Sequence, residues 1–180
     1  MNPIDPVTFS VIWGGLISTA AEMGVTLTRT AYSVAVREGS DFSTGVFNAD
    51  GYMVAQGDYS PGHLGSMAYC VRRMLDDYPA DQLSPGDAII CNDPGIGAGH
   101  LPDLYMMCPV FLDGELLAFA VNIAHQIDIG GSGAGSQTIT GIQDNFQEGL
   151  RFMPTRAFHK GEPVRDIFRI IESNVRVPEV

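Results

Sequence analysis

Apolar positions return at helical spacing over residues 6–37, where Phe9, Ile12, Trp13, Leu16, Ile17, Ala20, Met23 and Leu27 fall on one stripe. Asp5 is placed to cap that run and Pro6 suits its first turn, so the pattern predicts one long helix, loosened if anywhere at Gly14-Gly15. The period then changes. Over residues 44–56 two short β runs flank Asn48-Ala49-Asp50-Gly51, a hairpin signal. A loop rich in Gly, Ser and Pro over 57–65 leads to a second helix near 66–78, and residues 79–86 form a turn before a strand at 87–91. Residues 104–111 and 115–125 pair around Leu112-Asp113-Gly114 as a second hairpin. A Gly- and Ser-rich irregular loop follows through Ser136, and 166–175 reads as a late helix. The fold class is α+β: a mixed, largely antiparallel sheet with two hairpins, a long N-terminal helix and one or two packing helices.

At 180 residues and 45% hydrophobic content the chain suffices for one domain with a core, spanning 1–180, and it shows no repeat or low-complexity tract. A balance of 21 acidic to 10 basic residues, net −11, disfavours nucleic acid and anionic membranes as partners. The amino terminus lacks a basic leader and no apolar run approaches the roughly 20 residues of a membrane span, which makes the cytoplasm the default compartment. Cys70, Cys91 and Cys108 are odd in number and form no CxxC pair, so they are expected as buried reduced thiols. In the late helix Ile167, Phe168, Ile170 and Ile171 point to more than one face, which predicts an exposed apolar patch near Phe168 and Ile171. Residues 173–180 end without a closing strand, so the chain reads as part of a longer subunit.

Candidate chemistry gathers in residues 92–103, Asn92-Asp93-Pro94-Gly95-Ile96-Gly97-Ala98-Gly99-His100-Leu101-Pro102-Asp103. Three glycines widen the choice of backbone angles and two prolines narrow it, which describes a defined path between two strands. His100 and Asp103 sit three residues apart, and His125 with Asp128 closes the strand that follows. Two imidazoles and a carboxylate form a mixed N/O set suited to Zn²⁺ first, with Mn²⁺ or Fe²⁺ as alternatives. Asp41, in a Gly/Ser turn before the first hairpin, is the preferred fourth ligand; Asp128 is its rival, or orients His125 from behind. His63 opens a helix in Ser60-Pro61-Gly62-His63 and could serve as general acid or base, a role also open to Asp128. The glycine runs match neither a phosphate loop nor the dinucleotide fingerprint, and no G-x-S-x-G elbow is present.

Arg37-Glu38-Gly39-Ser40-Asp41-Phe42-Ser43, His63-Leu64-Gly65-Ser66-Met67, Asn92-Asp93-Pro94 with His100-Leu101-Pro102-Asp103, and residues 125–131 occur in an order that resembles the hydantoinase B / 5-oxoprolinase family. Gln147-Glu148-Gly149-Leu150-Arg151 and Asn174-Val175-Arg176 extend the likeness, and since family subunits are several times longer it implies an N-terminal part of one. The resemblance implies a hetero-oligomer in which an ATP-using hydantoinase A-type subunit phosphorylates the carbonyl of a cyclic amide and this subunit completes ring opening. It also implies ligands at His100, Asp103 and His125 with Asp41 as further carboxylate. Acetone and acetophenone carboxylases are similar too, so a carboxylase subunit, or a docking module without catalysis, stands as the alternative.

Overall fold

Asp5 caps the first helix, its carboxylate accepting from the N–H groups of Val7 and Thr8 at 3.0 Å each. The computed structural model describes residues 4–133 and 140–178; part of the Gly/Ser-rich loop predicted through Ser136 therefore lies outside the described residues. Helix α1 (Pro6–Thr30) passes Gly14-Gly15 unbroken but stops short of residue 37, and a separate four-residue helix α2 (Val34–Arg37) follows. Threonines crowd the end of α1: the hydroxyls of Thr28 and Thr30 bond back to the carbonyls of Gly24 and Thr26, a habit that weakens a helix. Helix α3 (Pro61–Asp77) begins five residues earlier than the predicted 66, because Pro61 is preorganised for a first turn; His63 is therefore helical. Helix α4 (Arg165–Asn174) lies within one residue of its expected span.

Seven strands, β1 (Phe42–Asn48), β2 (Met53–Gln56), β3 (Ala88–Cys91), β4 (Asp103–Leu112), β5 (Glu115–His125), β6 (Thr155–His159) and β7 (Glu162–Pro163), form one sheet in the order β2-β1-β5-β4-β3-β6-β7. Among the described residues every pairing is antiparallel, so the fold is α+β with the two predicted hairpins and a sheet that is antiparallel where a mixed one was allowed for. In the β4–β5 hairpin Asp113 and Gly114 take φ of 52° and 88°, the left-handed pair of a two-residue turn. A bulge between Val110 and Phe111 follows, and the register then runs unbroken to the pair Asp103–His125 at the far end. The β6–β7 hairpin escaped the sequence reading; its turn is Lys160-Gly161, with φ of 53° and 86°.

Alternation along the strands divides the core between two faces. On one, Phe47, Ile89, Cys91, Tyr105, Met107, Val121 and Ile123 pack with Met67, Cys70, Val71 and Met74 of α3. On the other, α1 covers Val46 and Ala55 through Ala20, and α4 sets Ile167 and Ile171 against Ile90 and Phe152. Only Ala20 and Gly24 of α1 are fully buried. A Cβ on Gly24 would meet the Tyr59 ring at 2.2 Å, and the Tyr59 hydroxyl donates to the Ala21 carbonyl at 3.0 Å. The predicted apolar stripe of α1 is thus half used: Phe9, Ile12 and Trp13 lie exposed beyond the sheet. By length and composition α1 also meets the requirement for a membrane span, contrary to the expectation that no segment would, although its second half is seated on β1 and β2. On α4, Phe168 and Ile171 are half-buried, with Phe168 edge-on to Phe158 at 5.3 Å, and Ile170 is exposed.

Candidate metal centre

Asp103 and His125 end the β4–β5 ladder as cross-strand partners, both about 4% exposed, so the register of the hairpin sets a carboxylate beside an imidazole. His125 Nδ1 lies 3.2 Å from Asp103 Oδ1. Residues 92–103 bring the second imidazole to the same atom. The Asp93 carboxylate accepts from Gly95 N–H at 2.7 Å, while the Asp93 carbonyl accepts from the N–H groups of Ile96, Gly97 and Ala98. Gly97, at φ 135°, passes close over α3, where a Cβ would stand 3.3 Å from Cys70 Cβ. The loop closes with Asp103 N–H donating to His100 O at 3.1 Å, which leaves His100 Nε2 3.1 Å from Asp103 Oδ1 and the two imidazole rings 5.2 Å apart.

Two further predicted residues complete the cluster. His63, in the first turn of α3, has Nε2 3.6 Å from Asp103 Oδ2 and 3.6 Å from Asp41 Oδ1. Asp41 Oδ2 is 3.7 Å from His125 Nδ1, and the Asp41 carbonyl accepts His125 N–H at 3.1 Å. Asp41 therefore faces two imidazoles, one through each oxygen, and Asp103 faces three, His100 and His125 through Oδ1 and His63 through Oδ2. Asp128 lies apart from this set: its carboxylate accepts from Gly130 N–H at 2.9 Å and pairs with Arg176 at 3.2 Å. Burial raises the Asp103 carboxyl, but hydrogen bonds from His100, His125 and His63 outweigh it and hold the group far below the usual carboxylate range. The hydrogen bond to Asp103 raises His100 above an ordinary imidazole, against the opposing effect of burial.

The donor set fits a divalent ion. Ligand atoms about 2.0–2.1 Å from a tetrahedral ion are about 3.3 Å from one another, close to the 3.1 and 3.2 Å separating the two imidazole nitrogens from Asp103 Oδ1. Nitrogen and oxygen donors of His100, Asp103 and His125 all lie within 4.8 Å of one another. His125 Nε2 and His63 Nδ1, the nitrogens turned away from the carboxylates, are buried without a hydrogen-bond partner among the described residues. Of the thiols, Cys91 is buried and is lowered by its contact with Cys70, against the opposing effect of burial. Contact with Cys91, then burial, push Cys70 far up, and burial raises Cys108.

Several supporting residues lie in motifs that the sequence marked without giving them a role. Asn92, fully buried, donates from Nδ2 to the carbonyls of Leu101 and Leu150 at 2.6 and 2.9 Å and accepts Phe152 N–H at 2.6 Å. Arg151 pairs with Asp93 at 2.6 Å, and Glu148 accepts Leu101 N–H at 2.9 Å. Their signals in the sequence were the motifs Asn92-Asp93-Pro94 and Gln147-Glu148-Gly149-Leu150-Arg151, which no periodicity marks.

Residues 5–180 match the family described as hydantoinase B/oxoprolinase. The chain is 39% identical over 134 residues to 5-oxoprolinase of Saccharomyces cerevisiae, which is 74% of this chain and 10% of that protein. It is 32% identical over 176 residues to caprolactamase subunit beta of Pseudomonas jessenii, 98% of this chain and 30% of that one. The crystal structure of the ATP-dependent caprolactamase from Pseudomonas jessenii superposes with a TM-score of 0.83 at 31% identity, covering 97% of this chain and 30% of that chain. Acetone carboxylase in its nucleotide-free form shares the fold, with a TM-score of 0.84 at 22% identity over 97% of this chain and 23% of that chain. The chain thus spans about a third or less of the length of these relatives. With its fold, its gathered histidines and aspartates and a match over nearly its whole length, the chain belongs to the hydantoinase B/oxoprolinase family.

Proposed function

We propose that this chain forms the metal-binding part of a cytoplasmic, ATP-dependent hydrolase that opens cyclic amides such as hydantoins, 5-oxoproline or related lactams. The observation that carries the reading is the convergence of His100 and His125 on one oxygen of Asp103. His100, Asp103 and His125, with Asp41 as further carboxylate, would hold the ion, Zn²⁺ in first place and Mn²⁺ or Fe²⁺ after it. Bound there, such an ion would supply Lewis acidity, lowering the pKa of water toward neutrality. His63 suits proton transfer, because its Nε2 stands between Asp41 and Asp103 and can hold a proton against either. Asp128 has both oxygens engaged by Arg176 and Gly130, which suits it to holding the loop after His125.

No phosphate loop was found in the sequence, and the caprolactamase relative is named as a beta subunit, so ATP is assigned to a hydantoinase A-type partner that phosphorylates the ring carbonyl. Elemental analysis of the purified chain tests the metal: about one divalent ion per chain is expected, and a metal-free chain that refuses Zn²⁺ on titration would leave a docking role instead. Turnover of a cyclic amide with ATP and the partner, compared with and without bicarbonate, separates hydrolysis from carboxylation.

A further inference from the structure

Residues 147–152 tie together the loop that carries His100 and the stretch that follows His125. Toward the stretch after His125, Ser132 N–H and Oγ donate to Gln147 O at 2.8 and 3.0 Å, and Leu150 N–H donates to Ile129 O at 2.8 Å. Toward residues 92–103, Asn92 holds Leu150 and Phe152, and Arg151 holds Asp93. Gly149 makes the approach possible: at φ 137°, an added Cβ would stand 2.3 Å from Ile129 O. Glu148, the residue before it, turns its carboxylate inward onto Leu101 N–H at 2.9 Å.

Leu101 is fully buried and lies between His100 and Asp103. Glu148 takes its N–H and Asn92 takes its C=O, so this peptide is held from outside the turn at both polar groups. Within the turn, Asp103 N–H to His100 O is the one backbone hydrogen bond among the described residues. The direction in which His100 faces His125 is therefore set by the brace as much as by the turn.

We infer that Glu148 is a positioning residue of the metal centre: by accepting Leu101 N–H it fixes the His100–Asp103 turn in the geometry that binds the ion, without itself being a ligand. The inference rests on the metal reading given above. A carboxylate on a buried backbone N–H is a strong, short-reach hold, and a glutamine in its place keeps an oxygen at the same reach.

The test uses the full chain and its Glu148→Ala, Glu148→Gln and Glu148→Asp variants, with Zn²⁺ affinity measured by competition with a chromogenic chelator. Visible absorbance of the Co²⁺-loaded protein and hydrogen exchange at the Leu101 amide are read alongside. Glu148→Ala should weaken Zn²⁺ binding about 10–100-fold, change the Co²⁺ spectrum and speed Leu101 exchange with or without metal. Glu148→Gln should restore most of all three, while Glu148→Asp, one methylene short, should resemble alanine despite its charge; this variant decides the matter if alanine fails to fold. Wild-type affinity in Glu148→Ala would overturn the inference and leave the metal reading standing. Equal weakness of glutamine and alanine would overturn it in favour of charge or direct ligation. A wild-type chain that binds no ion would remove the metal reading and this inference with it.

Discussion

Asp87 and Asp103 are both buried beside imidazoles, with exposures of 2% and 4%. Asp87 accepts from the N–H groups of Ser84 and Lys160 at 3.0 and 2.9 Å and from His159 Nδ1 at 2.9 Å, with Arg156 at 3.6 Å. Burial would raise its carboxyl, but the two N–H donors, then His159 and Arg156, hold it below the ordinary value. Two of those donors are backbone and one is a permanent cation lying over the Tyr78 ring at 5.3 Å. The hydrogen bonds of Asp103 come from imidazoles, groups that can give up a proton or exchange it for a metal ion. A buried carboxylate with fixed donors is a structural tie; one whose donors are replaceable is equipped for chemistry.

Substitution at Asp103 should separate the two most sharply. Asp103→Asn removes the charge that both imidazoles face, and Zn²⁺ affinity should fall about 100-fold or more, roughly 2.7 kcal/mol; chelator competition that shows unchanged affinity would contradict the contrast. Asp87→Asn should do the reverse: urea unfolding should show about 1–3 kcal/mol of lost stability with Zn²⁺ affinity intact.

Acidity should resolve the pair next. The Asp87 carboxyl is depressed in the folded state, so its stabilisation is present above about pH 3.9 and is lost as pH falls through the lower folded value. His100 is raised in the metal-free protein, so its contribution is full below about pH 6.5 and is lost as pH rises through the higher folded value. Melting temperatures of the EDTA-treated chain should therefore decline at the acid end through both Asp87 and Asp103 and at the neutral end through His100. The acid slope should shrink in Asp87→Asn and the neutral one in His100→Gln. The smallest change is expected at Asp41, whose side chain is 43% exposed and stands 3.6–3.7 Å from its imidazoles: Asp41→Asn should lower Zn²⁺ affinity about tenfold, and a loss as large as that of Asp103→Asn would make the two carboxylates equal partners.

The residues of the cluster were legible because their local surroundings were marked: His100 and Asp103 by a loop of glycine and proline, Asp41 by a polar turn, His125 by the end of a clean β run. The hairpins around Asp50-Gly51 and Asp113-Gly114 announced themselves through residues that accept left-handed backbone angles. The β6–β7 hairpin did not, since Lys160 at φ 53° occupies a position where Asn or Asp usually signals the turn. The stripe on α1 misled in extent, because helical spacing reports that a face is apolar and carries no information about how far the sheet beneath it reaches. The cross-chain brace at 147–152 was invisible for a related reason: Asn92 and Phe152, 60 residues apart, meet only in the folded chain.

The β4–β5 turn acts as a ruler for the cluster. Asp103 and His125 are matched across the strands some ten residues from Asp113-Gly114, a distance of about 30 Å. A surface turn usually tolerates an added or missing residue, but here a slip of one position along the ladder would send His125 through to the α1 side of the sheet while Asp103 stayed on the α3 side. The length of that exposed tip, together with the bulge at Val110–Phe111, is therefore under as tight a constraint as the buried residues it aligns.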